Sequence, residues 1–513
     1  MKKRLCALFA LLLPLLLLTG CWQEELPEEV NDVMPPFEEE PVEEKGPSLP
    51  ERFALPYMPG RTLDPIDCAD GMQQVAASLL YEGLFLLDAG LEPQLCLCIS
   101  YTHDEASTRY TFTLRPDVLF SDGSPLTARD VKASLDRARE SDRYRSRLSG
   151  ITSVSAGGDA VTVSLSGPNT GLPALLDVPI VKSGTQDAAA PVGTGPYFYA
   201  EEETGAWLVA NQSWWKGEGL PVDRIALVEA QDPDVMLYRF SSHEVQLITA
   251  DLTGVLAVST TGSVDCVDAE TTVLQYVGCN TSQAPLDSPS LRRALSAGID
   301  RANVAGAFLS GHGSAAFFPV SPVSSLYPAA LEEAYSLDGF AAAVSASGYV
   351  PERPLTLLVN EENSFKGAIA DYLAETWTGG GIPVEVRVLP WEEYAAALAG
   401  GDFDLYYGEV RLAADWDLSS LLDPGGALNY GHWSDPETSR LMAEFAGAED
   451  REAAMRDLCA YLKGQMPFLP VCFKSTSVLT QVDVVEGLVP TAAEPLYNLG
   501  ECAVHLKEEV PLE

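Results

Sequence analysis

The sequence predicts an α/β protein, layered around a mostly parallel sheet. Three observations carry this expectation. Short apolar runs with strand character recur along the chain. Amphipathic stretches of helical period separate them. The composition, 46% hydrophobic and 21% charged over 513 residues, is that of a globular chain with about three domains' worth of length. Strands that alternate with helices bury both faces of a sheet, which is the α/β solution.

The elements follow in order. Tyr110 to Leu114 alternates as a strand. Thr127 can cap a helix running from Ala128 to Leu135, its hydroxyl accepting from a free N–H of the first turn. Ala160 to Leu165 is a second alternating strand, and Leu355 to Val359 reads as a buried one. A helical run from Lys366 to Trp377, a strand from Ile382 to Leu389, a helix from Glu392 to Leu398 and a strand from Phe403 to Tyr407 complete the pattern.

Charge excludes several functions. Lys plus Arg number 32 against 74 Asp plus Glu, so the formal net charge is -42. Such a surface repels phosphate backbones and anionic headgroups, which argues against nucleic-acid binding and against membrane contact through a basic patch. The mean hydropathy of +0.04 and a single long apolar segment exclude a polytopic membrane protein.

That segment is N-terminal. Lys2, Lys3 and Arg4 precede an apolar run from Leu5 to Leu18, the form of an export signal. It ends in Leu18-Thr19-Gly20-Cys21, which resembles the lipobox of bacterial lipoproteins. The resemblance implies cleavage before Cys21 and lipidation of Cys21, placing the protein on the outer face of the cytoplasmic membrane. Residues 1–20 are then the signal. Residues 21–50, rich in Glu and Pro, are expected to form an extended disordered tether. Eight further cysteines lack paired zinc-knuckle spacing, and small buried thiols are the expectation for most of them.

Enzyme chemistry finds little support. His243-Glu244 opens like a zinc-protease helix, but position 247 is Leu. No nucleophile elbow or phosphate-binding P-loop occurs. Gly193-Thr194-Gly195-Pro196 is followed by a strand-like Tyr197-Phe198-Tyr199, and Pro196 removes a donor. No cofactor, resident metal or catalytic residue is expected.

Seven motifs, in order, resemble the solute-binding lipoproteins of ABC importers in the oligopeptide/dipeptide/nickel class. They are Thr62 to Ile66, Leu80 to Phe85, Tyr110 to Arg115, Phe120 to Val131, Pro191 to Tyr197, Trp214 to Glu218, and Leu291 to Arg301. The resemblance implies a two-lobed, hinge-linked fold with a central cleft. One lobe would take residues 51–275, completed by 478–513, and the other residues 276–477. It further implies a monomer that binds a peptide, closes, and docks on membrane permease subunits. A peptide sensor, or a binder of a nickel chelate or small cationic solute, is the alternative.

Site residues carry over by motif. In Ala414-Asp415-Trp416, Asp415 matches the family Asp that holds a peptide ammonium, with Trp416 beside it. Trp391 matches an aromatic of the side-chain pocket. Gly71 and Met72 fall on a loop that approaches ligand in the family. The stretch Asn360-Glu361-Glu362-Asn363 lacks the base with which dipeptide binders hold the ligand carboxylate. This departure argues against a free dipeptide clamped at both ends and leaves Arg411 as a substitute cation.

Overall fold

Sheet pairing in the computed structural model separates two kinds of architecture within one chain; the structure describes residues 49–217, 219–253 and 264–507. The signal, Cys21 and the tether as far as residue 48 lie outside the described residues. The alternating pattern read between residues 355 and 411 forms a βαβαβ unit. Strand Leu355–Asn360, helix Ser364–Gly379, strand Val384–Leu389, helix Trp391–Gly400 and strand Leu405–Arg411 follow one another, and the first strand lies parallel to both others. Asn363 begins the first helix by accepting from the Lys366 N–H at 3.1 Å.

The remaining pairing corrects the expectation of a mostly parallel sheet. Cys98–His103, Arg109–Leu114, Ala160–Leu165 and Ile151–Gly157 form a wholly antiparallel sheet. Tyr197–Glu202 and Gly205–Ala210 form another hairpin beside Arg224–Glu229. The cause is connection length: Glu203-Thr204 and Gly158-Asp159 each join two strands through two residues, and a parallel crossover needs a dozen or more. Gly158, at φ +61°, takes the left-handed conformation such a turn requires. The long strands Val264–Cys279 and Phe468–Gln481 lie antiparallel in a seven-stranded mixed sheet.

The helix start at Thr127 is the expected one. The helix runs Ala128–Glu140 from a reciprocal capping box in which the Thr127 hydroxyl, turned to the Asp130 N–H, also donates to the Asp130 carboxylate. Asp130 in turn takes the Thr127 N–H at 3.0 Å, which closes the box.

Three of the seven motifs meet at one buried carboxylate. Glu82 accepts from the Thr194 hydroxyl at 2.8 Å, from Trp214 Nε1 at 3.1 Å, and from Trp215 Nε1 at 2.9 Å. A Cβ on Gly193 would lie 2.1 Å from the Leu80 carbonyl oxygen, so glycine is what lets these chains approach. The Gly193-Thr194-Gly195-Pro196 run is thus a packing joint. Arg292, fully enclosed, likewise closes the end of helix Arg451–Gln465 by donating to the carbonyls of Gln465 and Met466.

The apolar interior divides. Three clusters draw on residues from Phe53 to Val264 and from Val478 to Leu506. Two draw on residues from Leu274 to Phe473. Two residues cross: partly buried Ala413 packs against the first set, and Leu91, at the tip of the hairpin joining Phe85–Leu87 to Pro93–Leu95, is buried at 6% exposure in the cluster of Leu274 and Phe318. Its φ is +63°, unusual for Leu, and Asp88 pins the turn by accepting from Gly90 and Glu92. Glu92 then takes the Ser325 hydroxyl at 2.7 Å.

Candidate ligand cleft

A cleft of about 1660 Å³ opens where these two sets of clusters face each other. Its walls come from segments far apart in sequence: Pro65 to Ala69, Ser141 to Ile151, Leu165 to Asn169, and Thr491 to Glu494 on one side, Arg411 to Ala427 on the other.

Asp415 sits in the second wall at 5% exposure. Strand Leu405–Arg411 delivers the chain to it, and Thr272 pins the exit by exchanging two hydrogen bonds with the Leu412 backbone, at 2.6 and 3.0 Å. The turn then places Trp416 at φ +61°, a strained conformation for a bulky residue. Trp416 is buried edge-on against Phe473, which holds the strain.

The Asp415 carboxylate accepts from Asn169 Nδ2 at 2.8 Å and from the Asp417 N–H at 3.3 Å. Burial raises its pKa from the ordinary Asp value, Asn169 opposing. Arg451 lies close, but it donates to the Asp415 backbone carbonyl at 2.7 Å and to the Thr170 hydroxyl at 3.1 Å, not to the carboxylate. Among the described residues no cation forms an ion pair with Asp415. A carboxylate offers about four acceptor positions, so about two remain for another donor.

Cations line the same space. Arg411 carries an exposed side chain with no ion pair or hydrogen bond among the described residues. It is nevertheless ringed by protein, which lowers its pKa; Glu409 opposes this and Arg143 adds to it. Arg143 is exposed too, using one nitrogen on the Cys68 carbonyl at 3.0 Å. Arg147 is neutralised by Asp177. The cleft therefore presents a buried, unpaired acid and two guanidinium groups with free donors.

Of the residues singled out from sequence, Asp415, Trp416 and Arg411 come together here. Trp391 does not. It is 58% exposed at the start of its helix, because Leu389 and Tyr394 take the inward positions on either side. Gly71 and Met72 also lie off the cleft. They open a helix, Gly71–Ser78, instead of a loop, since the Asp70 carboxylate accepts from the Met72 N–H at 2.9 Å. Met72 is buried beside Phe240, and the helix reaches the cleft one turn later through Gln74, Ala77 and Ser78. Asn169, Arg143 and Arg451 were not legible. Arg451 left one trace, a cation in the first turn of a helix, where the macrodipole disfavours it.

Comparison with known proteins completes the picture. Residues 92–427 match the family of bacterial extracellular solute-binding proteins, family 5 (middle region). The chain belongs to this family. Its members are solute-binding proteins of ABC import rather than enzymes. This family 5 protein is 27% identical over 386 residues to the glutathione-binding protein GsiB of Salmonella paratyphi A, across 70% of this chain and 75% of that protein. The oligopeptide-binding protein AppA of Bacillus subtilis, solved with a nonapeptide, superposes with a TM-score of 0.61 at 19% identity, covering 90% of this chain and all of AppA. A nickel ABC transporter protein of Bacillus halodurans superposes at 0.71 and 21% identity, covering 87% of this chain and 98% of that one. The two-lobed, hinge-linked α/β fold with a central cleft is that of the family. Among the described residues no helix is long and apolar enough to cross a membrane.

Proposed function

We propose that this family 5 protein captures peptides, longer than dipeptides, and delivers them to an ABC importer while tethered by lipid on Cys21. The observation that carries the reading is the unpaired, buried Asp415 in one cleft with two guanidinium groups, Arg411 on its own wall and Arg143 on the opposite one. A peptide ammonium supplies the cation Asp415 lacks, and a charge-assisted bond there contributes about 1.5–3 kcal/mol. The guanidinium groups suit carboxylates of the ligand. At about 1660 Å³ the cleft exceeds the roughly 300–1,000 Å³ of small-molecule sites. No histidine lines it among the described residues, so a bare nickel ion would lack imidazole ligands there.

In this reading residues 51–275 with 478–513 form one lobe and 276–477 the other, a division supported by the partition of apolar clusters. A ligand held by Asp415 on one side and Arg143 on the other favours the closed state by touching both walls at once. Native mass spectrometry of protein purified from rich medium tests the proposal. Bound masses that fragment as peptides are expected. A ligand-free mass, with no thermal shift against a peptide pool, would sink it.

A further inference from the structure

A second group of chemically reactive side chains lies outside the cleft. Cys266 and Asp268 stand two residues apart on strand Val264–Cys279, so both point from the same face of the sheet. His312 comes from a tight loop ahead of strand Gly313–Ala315. That loop is fixed against Phe473: a Cβ on Gly313 would lie 2.6 Å from the Phe473 carbonyl oxygen. The packing brings the imidazole over Asp268, with Nδ1 at 3.0 Å from Oδ2. Cys266 Sγ lies 3.9 Å from Asp268 Oδ1. One donor atom from each of the three residues lies within 4.8 Å of the other two.

We propose that Cys266, Asp268 and His312 form a binding site for a divalent transition-metal ion. The donor set decides the class. A thiolate, an imidazole and a carboxylate together suit Zn²⁺, Co²⁺ or Ni²⁺ and do not suit Ca²⁺ or Mg²⁺. Metal–ligand lengths of about 2.0–2.3 Å put tetrahedral ligands roughly 3.3–3.6 Å apart. The observed spacings reach this by movements of about 1 Å, which partly exposed side chains make readily. The carboxylate is anchored as metal-binding carboxylates are, since the Ser477 hydroxyl donates to Oδ1 at 2.6 Å while Oδ2 faces the His312 imidazole. On binding, the thiol proton of Cys266 is released to solvent, and the imidazole ligates through Nδ1 as the neutral tautomer that carries its proton on Nε2. The fourth position is open to water.

The site differs from the ligand cleft, since none of the three residues lines it. It also draws its donors from both sides of the proposed hinge crossing near residue 276, so occupancy ties the His312 loop to the strand that leads into the other lobe.

Cobalt titration of the reduced, chelator-treated full protein tests this. Wild type is expected to take up one equivalent of Co²⁺ with a thiolate-to-metal charge-transfer band. Cys266→Ser should lose that band, and His312→Ala and Asp268→Asn should weaken uptake at least tenfold. Asp415→Asn and Cys502→Ser should titrate as wild type, which separates this site from the peptide cleft and from other thiols. As a check independent of any substitution, Co²⁺ should slow alkylation of Cys266 in wild type, read by peptide mass spectrometry. Absence of the band in wild type, its persistence in Cys266→Ser, or unchanged alkylation with Co²⁺ would each overturn the proposal.

Discussion

Replacing Asp415 by Asn removes one charge and little volume, so it isolates the electrostatic role proposed for this side chain. In the ligand-free protein the change is close to neutral for stability. The amide oxygen can still accept from Asn169, now at 2.8 Å, while the donor half loses the 3.3 Å contact from the Asp417 N–H. That loss costs about 1 kcal/mol, and it is offset because a buried carboxylate no longer has to ionise. For ligand the balance is one-sided. Losing a charge-assisted bond to an ammonium costs about 1.5–3 kcal/mol, or roughly 10–150-fold in Kd. Calorimetry with one oligopeptide, free and N-acetylated, is the assay. Wild type should prefer the free peptide by that factor, and Asp415→Asn should bind both alike, so that substitution and acetylation are not additive. Burial raises the Asp415 pKa, and the ammonium needs the ionised form. Wild-type affinity should therefore fall as pH drops through that raised pKa, while the variant's stays flat. A variant that still binds the free peptide within twofold of wild type, with acetylation still costly, would refute the reasoning.

Further outcomes follow from other residues. Arg411→Ala should weaken peptides with a free C-terminal carboxylate about tenfold, and amidated ones hardly at all, as competition binding would show. Glu494, in the cleft wall, has its pKa pushed up to about 8 by burial, with Glu82 adding and Lys216 opposing. A folded pKa above the unfolded one means the folded state binds the extra proton, so stability falls as pH rises from about 4.5 to 8 and is level above that. Glu494→Gln should match wild type near the acid end and melt several degrees higher at pH 9, by on the order of 3 kcal/mol after allowing for the partial solvent access of this residue. Trp391→Ala should leave peptide affinity unchanged and stability within about 0.5 kcal/mol in a denaturant titration, because the ring faces solvent.

How far the sequence led depends on how far apart the interacting groups stand. The βαβαβ unit between Leu355 and Arg411 was legible because its signals are local: period, length and turn residues. This antiparallel sheet was half legible, since its two central strands, Arg109–Leu114 and Ala160–Leu165, were seen but the outer strands Cys98–His103 and Ile151–Gly157 were not. Asp415 was singled out through a motif, and the structure places it in the cleft wall. Its partner Asn169, 246 residues away, was hidden, because nothing local distinguishes a turn asparagine from one that reaches an acid across a cleft. His312 and Asp268, 44 positions apart, were hidden in the same way until a loop and a strand were seen to pack. Motif position also misled where it carried no facing information. Trp391 sits at the expected point in the chain, but the helix start turns it outward.

The hairpin tip at Leu91 bears on how long a solute stays. Its side chain lies in an apolar cluster whose other members lie between Leu274 and Phe473, and it also borders the cleft. Opening that border means withdrawing the side chain into water, at about 1.5–3 kcal/mol whether or not a solute is present. The latch therefore slows escape for every ligand alike, by roughly 10–150-fold, and does nothing to distinguish one from another. A binder built this way can hold varied solutes with few specific contacts, and the burden of prompt release falls on whatever membrane machinery pulls the tip free.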